Sequence, residues 1–254
     1  MKHQTPNDVE MPLLEHLVEL RDRLIRAAIA VLLTSLICFY FVNDIWNFFA
    51  QPLNEALEQT GKGTLAVHDV FEGIITQLKI SVLAGVLFAS PVVFYQGWKF
   101  IYPALTQEEA KFIVPLSLSS TVLFLLGTSF GYFVIFQFIF PFFLEVTSSD
   151  IEAVLSINAY LNTATKLLLA FGTSFQLPII VFFLSRTGVI DHLDMLHSFR
   201  YATVAILILS AFLTPPDPLS QVLMACPLLV LYVIGIGISY TTSTKVRASE
   251  GDEE

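Results

Sequence analysis

Glu15-His16-Leu17-Val18-Glu19-Leu20-Arg21-Asp22-Arg23 is a dense, mixed-sign stretch, and an apolar run from Leu24 to Val42 follows it at once, broken only by Arg26. Charge packed against the mouth of such a run marks the entrance to a membrane span, as an anchor or as a recognition surface. No small-residue cleavage site ends the run, so it reads as a retained span rather than a signal peptide. Outward from it, five more apolar segments follow, and the six run approximately over 24–42, 74–97, 113–140, 159–185, 201–214 and 219–240. Of the 254 residues, 55% are hydrophobic and 14% charged, and the mean hydropathy is +0.71. A soluble domain of this size has no means of hiding so much apolar surface.

The placement of Lys and Arg orients the spans. The N-terminal side carries Lys2, Arg21, Arg23 and Arg26; the loop after span two carries Lys99 and Lys111. Arg186 and Arg200 follow span four, and Lys245 and Arg247 lie in the tail. The opposite loops carry Lys62, a bias of ten against one that puts both termini in the cytoplasm. The expected architecture is all-α: six transmembrane helices in one membrane domain over 1–254, N-in/C-in, with a cytoplasmic segment at 1–23 and a disordered cytoplasmic tail at 241–254. The fifth segment is short for a crossing, and Thr214-Pro215-Pro216-Asp217-Pro218 cannot continue a helix. Helices five and six are therefore expected to be short, with their turn sunk below the surface. Pro91, Pro115, Pro141, Pro178 and Pro227 kink the spans and free carbonyls that neighbours must satisfy, giving a bent, concave bundle.

Several polar residues support two readings each. Thr106 and Glu109 have capping-box spacing ahead of span three, so Glu109 either caps that helix or faces the cytoplasm with Glu19 as a binder of guanidinium groups. Glu15, Glu19 and Asp22 share one helical face, with Arg23 a turn after Glu19, which suits a solvated lead-in helix or a binding surface. Lys79 and Lys166 either snorkel to the outer interface or are buried. Gln176, two residues before Pro178, bonds either a carbonyl freed by that proline or a polar group on a partner. Asp217 either caps the sixth helix or faces a partner. Cys38 and Cys226 lie in apolar runs and read as small buried hydrophobes, without a disulfide or a metal. No HExxH, GxSxG or P-loop occurs, and His3, His16, His68, His192 and His197 lie outside the spans, which argues against an enzyme. A secondary transporter of a small solute, coupling through Lys79, Lys166 and Asp217, is the rival reading; its usual internal duplication is not seen.

Taken in order, the motifs resemble the TatC family, the multispanning subunit of the twin-arginine protein translocase. The resemblance spans roughly Leu13 to Tyr240. It rests on His16 to Arg23, Ser90-Pro91, Tyr95-Gln96-Gly97-Trp98-Lys99-Phe100-Ile101-Tyr102-Pro103-Ala104-Leu105 followed by Glu109, Ala170 to Pro178, Leu213 to Asp217, and Ser220-Gln221. It implies a receptor for folded cargo bearing twin-arginine signal peptides, in the bacterial inner membrane. The matching acidic contacts are Glu19 and Glu109, with Leu20, Arg21, Phe100 and Leu105 shaping the surface. Pro52, Gln176, Asp217 and Gln221 match positions that contact partners or hold the structure. The resemblance further implies single-span TatA-like and TatB-like partners near spans five and six, self-association within lipid, and drive by the proton-motive force. It implies no cofactor and no nucleic acid. Many relatives carry Glu where this chain has Gln176, so the hydrogen-bonding group stays and the titratable one is lost.

Overall fold

The computed structural model describes residues 13–61, 64–66, 71–101, 113–146, 154–213 and 218–251. Helix α1, Leu13–Tyr40, joins the charged stretch to the first apolar run without a break. It contains neither Gly nor Pro, and Glu15 in its first turn complements the positive end of the helix. The chain turns at Phe41 and resumes as α2, Val42–Thr60, which ends on Gly61 in the left-handed region at φ 62°.

Helix α2 is a correction to the expected loop after span one. Its apolar residues Val42, Phe49, Leu53 and Ala56 recur at helical spacing and are buried, while Asp44, Asn47, Gln51, Asn54 and Glu55 face outward. Strand β1, Thr64–Ala66, then pairs in parallel with β2, Val154–Ser156, an addition to the all-helical expectation.

Helix α3, Glu72–Ile101, carries Pro91 in its interior. That proline leaves the Leu87 carbonyl without its usual donor, and the Ser90 hydroxyl supplies one at 2.7 Å. Helix α4, Ile113–Phe130, passes through a π-helical turn at Gly131–Ile135 into α5, Phe136–Val146. Helix α6, Ile157–Ser174, breaks at Phe175 and Gln176 before α7, Leu177–Arg186. The short α8, His192–His197, starts on an Asp191–Asp194 capping box. Helix α9 spans Phe199–Leu213, and α10 spans Pro218–Gly251.

Five stretches are long and apolar enough to cross a membrane: Glu15–Tyr40, Glu72–Ile101, Ile113–Glu145, Ile157–Arg186 and Gln221–Thr241. The 15 residues of α9 rise about 22 Å, less than the ~30 Å of hydrocarbon. The fifth apolar helix is therefore short, as expected. The sixth is not: α10 has 34 residues and continues as helix to Gly251, through most of the tail expected to be disordered from 241. Between Thr241 and Glu250 the tail has no Pro or Gly, and its Lys, Arg, Ala and Glu favour helix, so nothing stops the helix after the apolar run ends. The turn at 214–217 lies outside the described residues.

The main core gathers Phe136, Leu161, Ala164, Leu167, Phe171, Met224 and Leu228, each no more than 2% exposed, between α2, α3, α5, α6 and α10. A smaller cluster of Trp98, Ile113, Leu116 and Ile179 holds the opposite end of α3 against α4 and α7. Helix α1 sits at the edge and packs on α3; only 6% of its apolar window is buried. Gly85 permits that packing, because a Cβ there would lie 2.8 Å from the Ser35 backbone. Thr34 Oγ1 donates to the Gly85 carbonyl at 2.8 Å across the same crossing.

Candidate functional site

Three groups of polar side chains stand out against the apolar surface. The first lies where the start of α1 meets the end of α3. Arg23 donates through Nε to Glu19 Oε1 at 2.9 Å and through Nη2 to the same oxygen, one helical turn apart. His16 Nδ1 lies 3.8 Å from Glu19 Oε2. The His16 ring stacks on Phe100, with centroids 4.3 Å apart, which ties α1 to the last turn of α3. Arg21 is exposed and pairs with Asp22 at 2.8 Å; Leu20 is exposed beside it. The structure thus brings Glu19, Leu20, Arg21 and Phe100 to one end of the bundle. Leu105 and Glu109 lie outside the described residues.

Buried atoms without partners mark this end. Glu19 Oε2, Arg23 Nη1 and Gln96 Oε1 are enclosed and make no hydrogen bond. Contacts of His16 with Phe100 and of Ser35 with Gly85 define an antiparallel register, which puts Gln96 opposite the Glu19–Arg23 turn. An unmet buried polar group costs about 1–3 kcal/mol, so such a cluster favours a ligand that brings donors and an acceptor together. Sequence reasoning did not assign His16, Arg23 or Gln96 to the site. Its available signal was that all three fall inside the two family stretches.

The second group is an interior node. Trp98 Nε1 donates to Ser120 Oγ at 2.9 Å. Gln176, 7% exposed, donates through Nε2 to the Ser120 carbonyl at 3.0 Å and to the Gly172 carbonyl at 3.5 Å. The freed carbonyl is therefore not the one that Pro178 orphans. The break after Ser174 moves the Gln176 backbone N–H to the Thr173 carbonyl, and Gly172 loses its usual donor. Both acceptors are carbonyls, so this position demands a donor, which an amide always supplies and a carboxyl supplies only when protonated.

The third group fastens the far end. Pro52 has no N–H for the Phe48 carbonyl, and the Tyr132 hydroxyl donates to it instead. The Tyr160 hydroxyl donates to the neighbouring Phe49 carbonyl at 2.6 Å. Pro52 is thus buried in a structural joint. Glu72, 5% exposed, accepts through Oε1 from Ser156 Oγ at 2.7 Å and from the Asn158 backbone N–H at 2.9 Å, at the start of α6. Lys79 does not snorkel freely: its Nζ donates to Asn158 Oδ1 at 2.6 Å and to Asn162 Oδ1 at 2.9 Å. Lys166 is exposed. Gln221 Nε2 donates to the Leu207 carbonyl at 3.0 Å and ties α10 to α9. Asp217 lies outside the described residues. Cys38 is buried as expected, whereas Cys226 is exposed on α10, and both are free. Among the described residues no group of three or more His, Cys, Asp or Glu is placed to hold a metal.

The fold and these groups define a largely helical, multispanning membrane protein with enclosed, unmet polar atoms around Glu19 at one end. Residues 15–227 match the family model for the Sec-independent protein translocase protein TatC. A Sec-independent protein translocase protein TatC of Magnetococcus marinus is 38% identical over 250 residues, covering 97% of this chain and 91% of that protein. The corresponding protein of Azotobacter chroococcum is 36% identical over 256 residues and is covered along its full length. A crystal structure of the twin-arginine translocase receptor TatC superposes with a TM-score of 0.78 at 37% identity, over 88% of this chain and 97% of that one. The chain belongs to the TatC family. It is a membrane component of Sec-independent protein transport.

Proposed function

We propose that this chain reads the paired arginines of signal peptides through the face formed by the start of α1 and the end of α3. The observation that carries this reading is the unmet Glu19 Oε2, buried beside Arg23 and opposite Gln96. A guanidinium brings several donors in a planar fork and suits such acceptors better than an ammonium. Glu109 joins Glu19 as the second carboxylate, with Leu20, Arg21, Phe100 and Leu105 forming the surrounding surface. This face points to the cytoplasm, both termini lie there, and α9 makes a sixth, short crossing. TatA-like and TatB-like single-span proteins dock along α9 and α10 near Asp217 and Gln221. Copies of the chain associate with one another in the bacterial inner membrane, and transport draws on the proton-motive force.

The test is binding of a twin-arginine peptide to the purified protein. Glu19→Ala and Glu109→Ala should each lose the ~1.5–3 kcal/mol of a charge-assisted hydrogen bond, at least a tenfold fall in affinity. Replacing the two peptide arginines by lysines should also weaken binding. Unchanged affinity in Glu19→Ala removes Glu19 from the site.

A further inference from the structure

Lys79 and Lys166 take no part in the face described above. Asn158, Asn162 and Lys166 stand at i, i+4 and i+8 on α6, so they share one side of that helix. Lys79 reaches this side from α3 and is held by both asparagine oxygens, at 2.6 and 2.9 Å. Those partners are neutral amides, so they supply no counter-charge. Lys166, one turn or about 6 Å further along, is exposed and makes no hydrogen bond or ion pair among the described residues. The Glu72 oxygen that is bonded at this end accepts from Ser156 and Asn158, not from either lysine.

Helices α3 and α6 both start at this end, where β1 pairs with β2. Side chains lean toward the N-terminus of their helix, so both lysines extend toward the same rim of the membrane. Lys79 lies seven residues into α3, about 10 Å below its start, and Lys166 nine residues into α6, about 14 Å below. Cations at that depth without a counter-charge are unfavourable unless an anion meets them. The surface beside Lys79 is apolar and open: Ile75 is 44% exposed, Leu78 51% and Val82 50%.

We propose that this face binds the phosphate of an anionic phospholipid at the rim opposite the Glu19 site. The two ammonium groups hold the phosphate, with Lys79 set in place by its asparagines, and an acyl chain lies over Ile75, Leu78 and Val82. The open apolar flank favours a lipid over a soluble anion, which has no use for it.

Native mass spectrometry of the full-length protein, released from detergent micelles, tests this. The probes are dioleoyl phosphatidylglycerol, dioleoylglycerol of the same chains, and inorganic phosphate. Phosphatidylglycerol should be retained and dioleoylglycerol should not. Lys166→Gln removes a side chain that nothing else among the described residues engages, and should cut retention about fivefold, the factor one lysine near a membrane surface contributes. Lys166→Arg should restore retention. Equal retention in Lys166→Gln overturns the proposal, as does equal retention of dioleoylglycerol. Displacement of the lipid by inorganic phosphate at matched concentration also overturns it, by making the site one for soluble anions.

Discussion

The two ends of the bundle treat their polar groups differently. At the Glu72 end, Glu72, Lys79, Tyr132 and Tyr160 all have partners, and they join α2, α3, the π-helical turn and α6 across long sequence separations. At the Glu19 end, three enclosed polar atoms on two helices have none. Among the described residues, Thr76 Oγ1 is the one comparable unmet atom toward the Glu72 end. A polar group that is fully bonded within the chain holds the fold. One that is enclosed and unmet lowers stability until something binds, which is what a recognition face requires.

Mutations that split folding from binding break this comparison or sharpen it. Phe136 is fully buried between the helices of the fastened end, and Phe136→Ala should cost about 3–5 kcal/mol of stability in thermal or denaturant unfolding in detergent. A loss below about 1 kcal/mol there means that this end is not the rigid one. Next comes Glu19→Gln, which should weaken twin-arginine peptide binding by about 1.5–3 kcal/mol while leaving the unfolding midpoint near that of the parent. A large drop in the midpoint makes Glu19 a structural residue and removes the contrast. Tyr160→Phe should do the reverse, costing about 1 kcal/mol of stability by removing the hydroxyl that donates to the Phe49 carbonyl, with peptide affinity unchanged. Gln176→Leu should cost a similar amount, about 1 kcal/mol, because the Ser120 and Gly172 carbonyls lose their donor. Gln176→Glu should be tolerated, since a protonated carboxyl still donates. Smallest of all, Arg21→Gln should change stability by about 0–1 kcal/mol, because its pairing with Asp22 is exposed to solvent.

Much of this was legible in the chain itself. Apolar runs mark six spans, of which five are long enough to cross and the fifth in order, α9, is visibly short; the two family stretches that carry Glu19 and Phe100 meet at one end of the bundle. Helix α2 was harder to see. Its apolar residues have helical spacing, but it is too polar to read as a span, and Pro52 reads as a break. The Tyr132 hydroxyl, supplied from far along the chain, makes a helix through that proline acceptable. The break at Phe175 was legible only as a proline kink, because which carbonyl goes unmet depends on backbone geometry. Gln96 was hidden for a related reason. Nothing local says that it faces Glu19; that follows from the register set by Ser35 against Gly85 and His16 against Phe100. The tail after Thr241 is polar, which in sequence reads as disorder, yet no Pro or Gly interrupts it before Gly251, and the helix runs on.

The tyrosine joint at Pro52 also sets an order of events during synthesis. The Phe48 carbonyl, which Pro52 leaves without its helical donor, waits for a hydroxyl 84 residues further along the chain. At about 5–20 residues per second, that donor arrives about 4–17 s after the carbonyl has left the ribosome. Until then α2 has a backbone group that its own residues cannot satisfy, so it stays at a watery boundary rather than settling against the bundle. The segment that becomes α2 is thus the first to leave the ribosome among the parts of this joint, and docks only when Tyr132 has followed. A pulse-labelled cysteine at the exposed Asn54 should therefore remain reactive until the π-helical turn that carries Tyr132 has been made.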